Sequence, residues 1–515
     1  MIKSFSLSLK FVTSLIFIVL FSSTSQANSS EVISFNYNNF PDGPGMYAVM
    51  VGDGGGGGAN YSLLPNSIHP NYAAVFPVCA GNQFNNCILN FESKKTIESE
   101  WTNASIAFPE TPKTLGAIAV NYSDGTAPHL VGNLEEDATK KIPTGRTSSI
   151  WTLPNAQHSG GNQYLVSVSL DTFPVAQSRT PVNFNAVIKP IQYNPNARKN
   201  WTSPADSVLA YSTEFKFPEN QEYRLTIKLG VASEQISTFF SGRVTSPGFQ
   251  IEKGILTISG APQKYPIAQS EIMQYKNLTK SEKDSIRPWK ADFFETQSAR
   301  SGIFNNSALD FSDFSIWESK LKEIGLKQSW FISSMNNPFD CKVSSIAGFV
   351  SSNSLLYSTS PPLWDENTSS LNYKMASLHT DSSGAINRGN FDLVISPELA
   401  KCLWNINPED IQSVSARIIY ENGESIIGAS SLQVVNKWVY VNVKDFTFSN
   451  PTVSVKIISS RKSNVVLNTP IAETIKPLTP KIEVSQKKTI TCFKGKTTKK
   501  MSSMKPSCPA GYKKK

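Results

Sequence analysis

The chain has 515 residues, of which 39% are hydrophobic and 17% charged, so it is long enough for two to four globular domains. The formal net charge of +9 is concentrated at one end: residues 487–515 contain ten lysines and no acidic residue, whereas residues 28–486 carry a net charge of −3. A nucleic-acid-binding body would carry a basic face on the fold itself. The charge distribution therefore argues against that class for the body and makes the basicity a property of the tail.

The first 27 residues have the composition of a secretory signal peptide. Lys3 and Lys10 provide positive charge, residues 11–21 form an apolar run, and Ser25 and Ala27 are small residues at the positions a signal peptidase reads. The apolar run is too short to cross a bilayer, which takes about 20 residues, and no second run reaches that length. We therefore expect cleavage near Ala27 and a secreted or cell-surface protein without a membrane span; a buried N-terminal helix is the alternative.

Residues 28–265 are expected to form an antiparallel β-sandwich. Apolar residues occupy alternate positions at 164–170 and 223–229, the pattern of a strand with one buried face. The glycine run at 54–58 is not followed by the Lys-Ser/Thr of a phosphate-binding loop, so a hairpin loop is favoured there.

Residues 266–336 are expected to form a short helical connector. Residues 279–286 begin with a capping threonine and stop before a proline, as a short helix does. A second helix is predicted at 313–324, with Gly325 where a helix stops. The apolar face of that helix consists of Phe314, Trp317, Leu321 and Ile324.

Residues 337–465 return to a strand pattern and predict an immunoglobulin-like sandwich of about seven short strands. Ser396, followed by proline and glutamate, predicts a helix start that places Cys402 on or just after one helical turn. The Asn422-Gly423 pair predicts a hairpin. Residues 466–486 contain three prolines and are expected to be a linker to the basic tail at 487–515.

Six cysteines in an exported chain indicate disulfides rather than metal ligands, and no C-x-x-C motif is present. Fifteen pairings are possible, and nearest-neighbour pairing is the hypothesis. It joins Cys79 to Cys87, Cys341 to Cys402, and Cys492 to Cys508. In the second sandwich, Trp404 or Trp438 could pack against the bridge.

No catalytic motif is complete, so the sequence leaves enzymatic activity undecided and predicts no cofactor and no metal site. The four histidines lack H-x-x-x-H spacing, and no G-x-S-x-G elbow occurs. Trp151, Trp201 and Trp364 are predicted in polar loops, where aromatic rings could stack on sugars. The alternative to a non-enzymatic role is therefore a secreted glycan-binding protein or a glycan-active hydrolase, and hydrolysis would need two carboxylates in one cleft.

The tail is the most specific candidate for binding. Threonine, isoleucine and aromatic residues alternate with lysines around Cys492 and Cys508, so two bridged arms could keep one cationic face towards a polyanion. An anionic polymer or surface of the cell envelope is the expected partner, and a solvated tail without a partner is the alternative. The lysines assigned to this contact are Lys494, Lys496, Lys499, Lys500, Lys505, Lys513, Lys514 and Lys515.

The run TITCFKGKTTKKMSSMKPSCPAGYKKK at 489–515 resembles the C-terminal module of many exported bacterial proteins of otherwise different content. FFSGR at 239–243, GNFDLVISPELAKCLW at 389–404 and FTFSNPTVSVKI at 446–457 are similar to parts of uncharacterised secreted bacterial proteins with this tail. The resemblance implies location and architecture, because that family has no established activity. We therefore expect an exported, non-enzymatic protein of the bacterial cell surface.

Overall fold

The protein is described from a computed structural model, and it is mostly β with few short helices. It divides into two compact units, Met1–Arg461 and Lys462–Lys515. The predicted signal segment, the glycine run at 54–58 and the predicted linker at 466–486 lie outside the described residues. The described residues are 32–33, 50–52, 71–81, 84–98, 100–110, 135–139, 141–172, 182–193, 212–234, 236, 239–271, 273–274, 277–285, 308–335, 339, 341, 343, 346–358, 360–448, 450–459, 488–494, 497–503, 508 and 512–514.

The described part of the first half of the chain consists mainly of strands and the loops between them, with a short 3₁₀ turn at Gly230–Glu234. These strands are β1 Val32–Ile33, β2 Met50–Gly52, β3 Asn71–Val75, β4 Cys87–Lys95, β5 Thr102–Asn103, β6 Ser105–Phe108, β7 Ser149–Thr152, β8 Gln163–Thr172, β9 Val182–Tyr193, β10 Ser212–Glu214, β11 Gln221–Lys228, β12 Phe239–Gly242, β13 Val244–Glu252, β14 Ile255–Ser270 and β15 Met273–Gln274.

The helices and the remaining strands of the described part of the chain lie in the second half. The helices are α1 Lys280–Ser285, α2 Ala308–Trp317 and α3 Pro397–Trp404, with 3₁₀ turns at Glu318–Lys320 and Pro408–Asp410. The strands are β16 Leu321–Met335, β17 Gly348–Ser352, β18 Leu356–Tyr357, β19 Leu363–Asp365, β20 Ser370–Ala376, β21 Arg388–Ile395, β22 Ile411–Ile419, β23 Ser425–Ile427, β24 Ala429–Val435, β25 Trp438–Thr447, β26 Thr452–Ser459, β27 Lys488–Lys494, β28 Thr497–Ser503 and β29 Lys513–Lys514.

The first core lies between two sheets of the N-terminal half. One sheet runs β3-β8-β9-β16-β12, all antiparallel, and the other contains β4, β11, β14 and β13. The alternation predicted around residues 223–229 is confirmed, because buried and half-buried residues alternate along β11. Tyr223 and Leu225 enter the core from β11, and Tyr164 and Val166 enter it from β8.

The strand β12 continues this sheet into the second half of the chain. It pairs with β17 in parallel, and the sheet then runs through β21 and β25 to β24 with antiparallel pairing. Neighbouring residues on these strands enter different cores: Phe349 and Val394 belong to the first core, whereas Val350 and Leu393 belong to the second. We call β12, β17, β21 and β25 the shared sheet, because apolar side chains cover both of its faces.

The second core lies between the shared sheet and a second sheet of the order β18-β20-β26-β22-β23, with β19 also paired to β20. The predicted separation into sandwiches at 28–265 and 337–465 is therefore wrong as a domain boundary: both halves belong to one compact unit and share a sheet. The sequence shows the strand pattern of each segment. Long-range pairing decides which sheet covers each face of a strand. The immunoglobulin-like assignment stays a prediction.

The helical connector is the second correction. The helix predicted at 313–324 is instead α2, Ala308–Trp317. A 3₁₀ turn at Glu318–Lys320 follows it, and strand β16 begins at Leu321. Residues 321–329 pair with residues 263–270 of β14, and Ile324 is 45% exposed. Phe314 and Trp317 do pack in a third core. The apolar spacing matched a helical period, but the strand ladder with β14 stabilises the extended conformation instead.

Local signals in the sequence did give the other short elements. The helix predicted at 279–286 is α1, and Thr279 and Glu282 form a capping box: the Thr279 amide donates to Glu282 Oε2 at 2.6 Å, and the Glu282 amide donates to Thr279 Oγ1 at 3.3 Å. Helix α3 begins after Ser396, whose side chain accepts from the Leu399 amide at 3.1 Å, and it carries Cys402 as predicted. The Asn422-Gly423 hairpin joins β22 to β23.

The second unit, Lys462–Lys515, contains one described sheet of the order β28-β27-β29, antiparallel throughout. Cys492 on β27 is fully buried and is bridged to Cys508. Across both units, none of the helices in the described part of the chain is long and apolar enough to span a membrane.

Candidate functional site

A polar pocket lies on the face of the shared sheet that covers the first core, beyond the last residues that pack in that core. The register places Asp392 of β21 opposite Asn442 of β25, and Asn442 opposite Ser431 of β24. Residues directly opposite in an antiparallel pair lie on the same face, as do residues two apart along one strand. These three polar residues therefore share a face with Val394 and Tyr440, which contact the first core.

The pocket has a volume of about 210 Å³ and lies between this face and the start of β13. Pro247 of β13 and the ring of Tyr440 contribute apolar surface to its wall. We call this cavity the Asp392 pocket. Its polar lining residues are Ser246, Asp392, Ser431, Gln433, Asn442 and Lys444.

Asp392 is only 3% exposed, and donors surround its carboxylate. Oδ1 accepts from Asn442 Nδ2 at 2.7 Å, and Oδ2 accepts from the Ser246 amide at 3.3 Å and from Asn390 Nδ2 at 3.4 Å. Burial raises the pKa of Asp392 to about 6, while the bonds from Asn442 and Ser246 and the charge of Lys444 act in the opposite direction. The carboxylate is therefore mainly ionised at neutral pH.

The hydroxyl of Tyr440 holds its ring in place. It donates to the Phe249 carbonyl at 2.8 Å and accepts from the Phe249 amide at 3.2 Å, so β25 is tied to β13 beside the pocket. Burial raises the pKa of Tyr440, which keeps the phenol neutral. The ring is thus a fixed apolar wall, and its polar atom is already satisfied by the backbone.

The other polar lining groups are available to a ligand. Asn442 Nδ2 donates to both Asp392 and Asn390 (2.7 and 2.9 Å), and within the described part of the chain its Oδ1 accepts no hydrogen bond. The side chains of Ser431, Gln433 and Lys444 are exposed and make no hydrogen bond or ion pair with other described residues. The pocket therefore presents both acceptors and donors around one aromatic wall.

This arrangement suits binding better than hydrolysis. Glycoside hydrolysis by the usual route takes two carboxylates about 5–10 Å apart, and Asp392 is the one acidic residue among those lining the pocket. No histidine, cysteine or tyrosine hydroxyl in the lining is positioned as a nucleophile with a base, because the Tyr440 hydroxyl is engaged by backbone. Nowhere in the described ranges do three His, Cys, Asp or Glu residues form a group that could hold a metal ion.

Of the three tryptophans predicted to stack on sugars, the structure describes two, and these two lie in different clusters. Trp151 lies on β7, is 3% exposed and belongs to the first core, which corrects its placement in a loop. Trp364 lies on β19, which corrects its placement in a loop as well, and it packs edge-on against Trp404, with ring centroids 5.0 Å apart. Trp201 lies outside the described residues. The aromatic residue beside the pocket is Tyr440 of β25. It was not among the predicted site residues, because the sequence around it shows only an alternating strand pattern.

All three predicted disulfides are confirmed: Cys79–Cys87, Cys341–Cys402 and Cys492–Cys508. The second bridge ties helix α3 to the segment before β17, so it does not join the two sheets of a sandwich. Trp404 lies in the same cluster as Cys341, whereas Trp438 belongs to the first core and was wrongly considered as a partner of that bridge.

The predicted binding lysines of the tail are partly described. Lys494 and Lys513 are exposed. Lys499 and Lys514 stand opposite Cys492 on the neighbouring strands, and Lys500 stands opposite Thr491. Successive positions of β27 alternate between faces, so lysine positions occur on both faces of the tail sheet, and the expected cationic face stays a prediction. Three further lysines of the prediction lie outside the described residues: Lys496, Lys505 and Lys515.

A buried arginine at the end of β12 is a second group that the sequence analysis missed. Arg243 is 2% exposed and donates to the carbonyls of Ser352, Ser354 and Leu355 at 2.5, 2.7 and 3.4 Å. Its guanidinium lies over the ring of Tyr265 at 4.1 Å, and Tyr357 covers it at 4.5 Å. The three backbone carbonyls bind its terminal nitrogens and the two rings cover its planar faces, so this side chain stabilises the turn after β17.

Comparison with known proteins adds no assignment: no family model matches the chain, and no curated protein matches it. The function has to be argued from the tail and from the Asp392 pocket.

Proposed function

We propose that this protein is exported to the bacterial cell surface, where its cationic tail holds it at the envelope in a non-enzymatic role. The observation that carries the proposal is the tail itself. Ten lysines and no acidic residue lie in 487–515, within a separate compact unit closed by Cys492–Cys508. The remainder of the mature chain is slightly acidic, so the attraction to a polyanion is confined to this unit.

The register of the tail explains how it would bind. Lysine positions on β28 and β29 stand opposite residues of β27 that are not lysine, with Lys499 and Lys514 on either side of Cys492, and the bridge fixes Cys492 to Cys508. A linear polyanion can place charges along such a ribbon on either face, which suits a flexible polymer better than a flat specific site. Binding of this kind is electrostatic, so salt weakens it.

Three features support export. The first 27 residues have the order of charge, apolar run and small residues that a signal peptide has. All six cysteines are paired in bridges, which persist in oxidising compartments and are rare in the cytosol. The resemblance of residues 489–515 to tails of exported bacterial proteins points to the same location.

Envelope fractionation with tail variants tests the proposal. Deletion of 487–515 is expected to release the protein from isolated envelopes into the soluble fraction. Intact protein should be released as the salt approaches about 1 M, where the screening length falls to roughly 3 Å. Retention under both treatments would contradict the proposal.

A charge-matched comparison separates the tail from general surface charge. The tail variant replaces Lys494, Lys499 and Lys513 by glutamine and should be released at lower salt than the wild type. The control replaces three exposed body lysines by glutamine and should be released at the wild-type salt concentration. The control positions are Lys401, Lys437 and Lys456. Equal shifts for both variants would show that the tail has no special part.

A further inference from the structure

We propose that the Asp392 pocket binds a neutral polyhydroxylated ring, that is, one monosaccharide unit or a cyclic polyol. This binding site is separate from the tail and goes beyond envelope attachment. The proposal combines the size of the cavity, the kinds of polar group in its wall, the fixed aromatic ring and the balance of charge.

The size of the cavity suits one ring. Its volume of about 210 Å³ equals the share of about seven water molecules in the liquid. Pockets for drug-sized ligands begin at about 300 Å³. The cavity is therefore large enough for a single sugar ring and too small for a long apolar molecule or a nucleotide.

The polar groups match hydroxyls, which both donate and accept. Acceptors come from the Asp392 carboxylate and from Asn442 Oδ1, and donors come from Lys444 and from the Gln433 amide. The Ser431 hydroxyl can do either. None of these groups except Asp392 and the Nδ2 of Asn442 is committed to another described residue. An apolar ligand would leave this polar wall without partners, at a cost of about 1–3 kcal/mol per group that it buries.

The inner part of the pocket is organised before a ligand arrives. Three donors fix the Asp392 carboxylate, and Asn442 Nδ2 is fixed between Asp392 and Asn390. The Phe249 backbone holds the Tyr440 ring. A ring with an apolar face and hydroxyls at its edge can stack on the aromatic wall and direct its hydroxyls at the fixed polar groups. Groups held in this way lose little freedom on binding.

The charges favour a neutral ligand. The buried carboxylate of Asp392 repels an anion from the inner part of the pocket, and the exposed Lys444 repels a cation at its mouth. The one zwitterionic competitor of similar size is a free amino acid, whose ammonium could face Asp392 and whose carboxylate could face Lys444. The carboxylate of Asp392 already accepts three hydrogen bonds, which leaves less room for an ammonium than for a single hydroxyl donor.

Saturation-transfer NMR on the oxidised chain 28–515 tests the proposal with defined probes. The panel contains glucose, galactose, mannose, N-acetylglucosamine and myo-inositol, together with glycine, alanine and inorganic phosphate. We expect at least one sugar or inositol to bind with a dissociation constant on the order of 1 mM or below. No signal from any sugar or inositol, or binding of amino acids alone, would overturn the proposal.

Two substitutions on one strand give the matched comparison. Ser431→Phe fills the pocket and is expected to weaken binding of the identified sugar at least tenfold. Ser430→Phe puts the same side chain at the neighbouring exposed position, on the other face of β24, and should leave binding unchanged. Equal binding by both variants would also overturn the proposal.

The tail provides a control that keeps this inference independent of the proposed function. Deletion of 487–515 should leave sugar binding unchanged while it releases the protein from envelopes. Loss of sugar binding in that deletion would place the site in the tail and contradict the assignment to the Asp392 pocket.

Discussion

Substitution of Phe349 by alanine tests whether the two halves of the body form one cooperative structure. Phe349 is fully buried on β17, and its ring stacks on Phe249 with centroids 6.4 Å apart. A buried Phe→Ala change costs about 3–5 kcal/mol, and the lost aromatic pair accounts for about 0.5–1.5 kcal/mol beyond area burial. The neighbouring Val350 faces the second core, and its replacement by alanine should cost about 1–3 kcal/mol, since it removes two methyl groups.

The two variants should have the same pattern of effects, although they disturb different cores. Strand β17 pairs with both β12 and β21, so damage on either face loosens the sheet that supports both cores. Urea unfolding should stay a single transition with a lower midpoint for both variants. Hydrogen exchange measured by mass spectrometry should show lost protection in residues 163–193, whose strands β8 and β9 cover the first core, and in residues 411–459, whose strands cover the second core.

The outcome that refutes this reasoning is separation of the two halves. Two unfolding transitions would contradict the shared sheet. The shared sheet would also be contradicted if Phe349→Ala lost hydrogen-exchange protection in residues 163–193 while residues 411–459 kept wild-type protection. Independent domains would respond one at a time in this way.

Three further predictions concern stability. Replacing Cys341 and Cys402 by alanine should lower the free energy of unfolding by about 4 kcal/mol, because the bridge spans 61 residues. Chemical denaturation measures this loss, and removal of the bridge that spans eight residues should cost less, about 2–3 kcal/mol. Burial lowers the pKa of His158, so as the pH falls the unfolded state takes up a proton before the folded state does. The free energy of unfolding should therefore fall as the pH drops below about 6.5, and His158→Gln should flatten that part of a pH series of melting temperatures. Arg243→Lys should destabilise by at least about 2 kcal/mol, because an ammonium cannot reproduce the planar fork between two tyrosine rings, and a wild-type melting temperature would contradict that role.

Arg243 and Asp392 illustrate why the candidate site was missed in the sequence. Each is a single charged residue next to a hydrophobic strand, in FFSGR and in FDLVI, and such a residue is a usable signal of a buried polar group. The sequence does not say what surrounds it. The partners of Asp392 are Asn390 on its own strand, Ser246 nearly 150 residues earlier and Asn442 fifty residues later, and only the pairing of strands brings them together.

Features set by neighbours in the chain were predictable. The capping box of α1, the helix start at Ser396 and the Asn422-Gly423 turn depend on a few consecutive residues, and the three bridges join cysteines close enough in sequence to suggest one another. The alternation along β11 depends only on the pleat of a strand. The charge of the tail is likewise a property of composition, so the expected cationic unit at 487–515 needed no structure.

Tertiary structure decided the features that depend on which strands meet. Leu321 and Ile324 fit a helical face, but pairing with β14 made them part of β16. The apolar run at 391–395 belongs to the segment predicted as a separate sandwich, but its pairing with β17 and β25 makes it a layer between two cores. Local conformational preferences are worth tenths of a kcal/mol per residue, whereas a long ladder and two buried faces are worth several times more in total. The sequence by itself therefore determined the locally encoded turns and helix starts and the charged tail, and the tertiary structure alone decided the shared sheet and the pocket on its face.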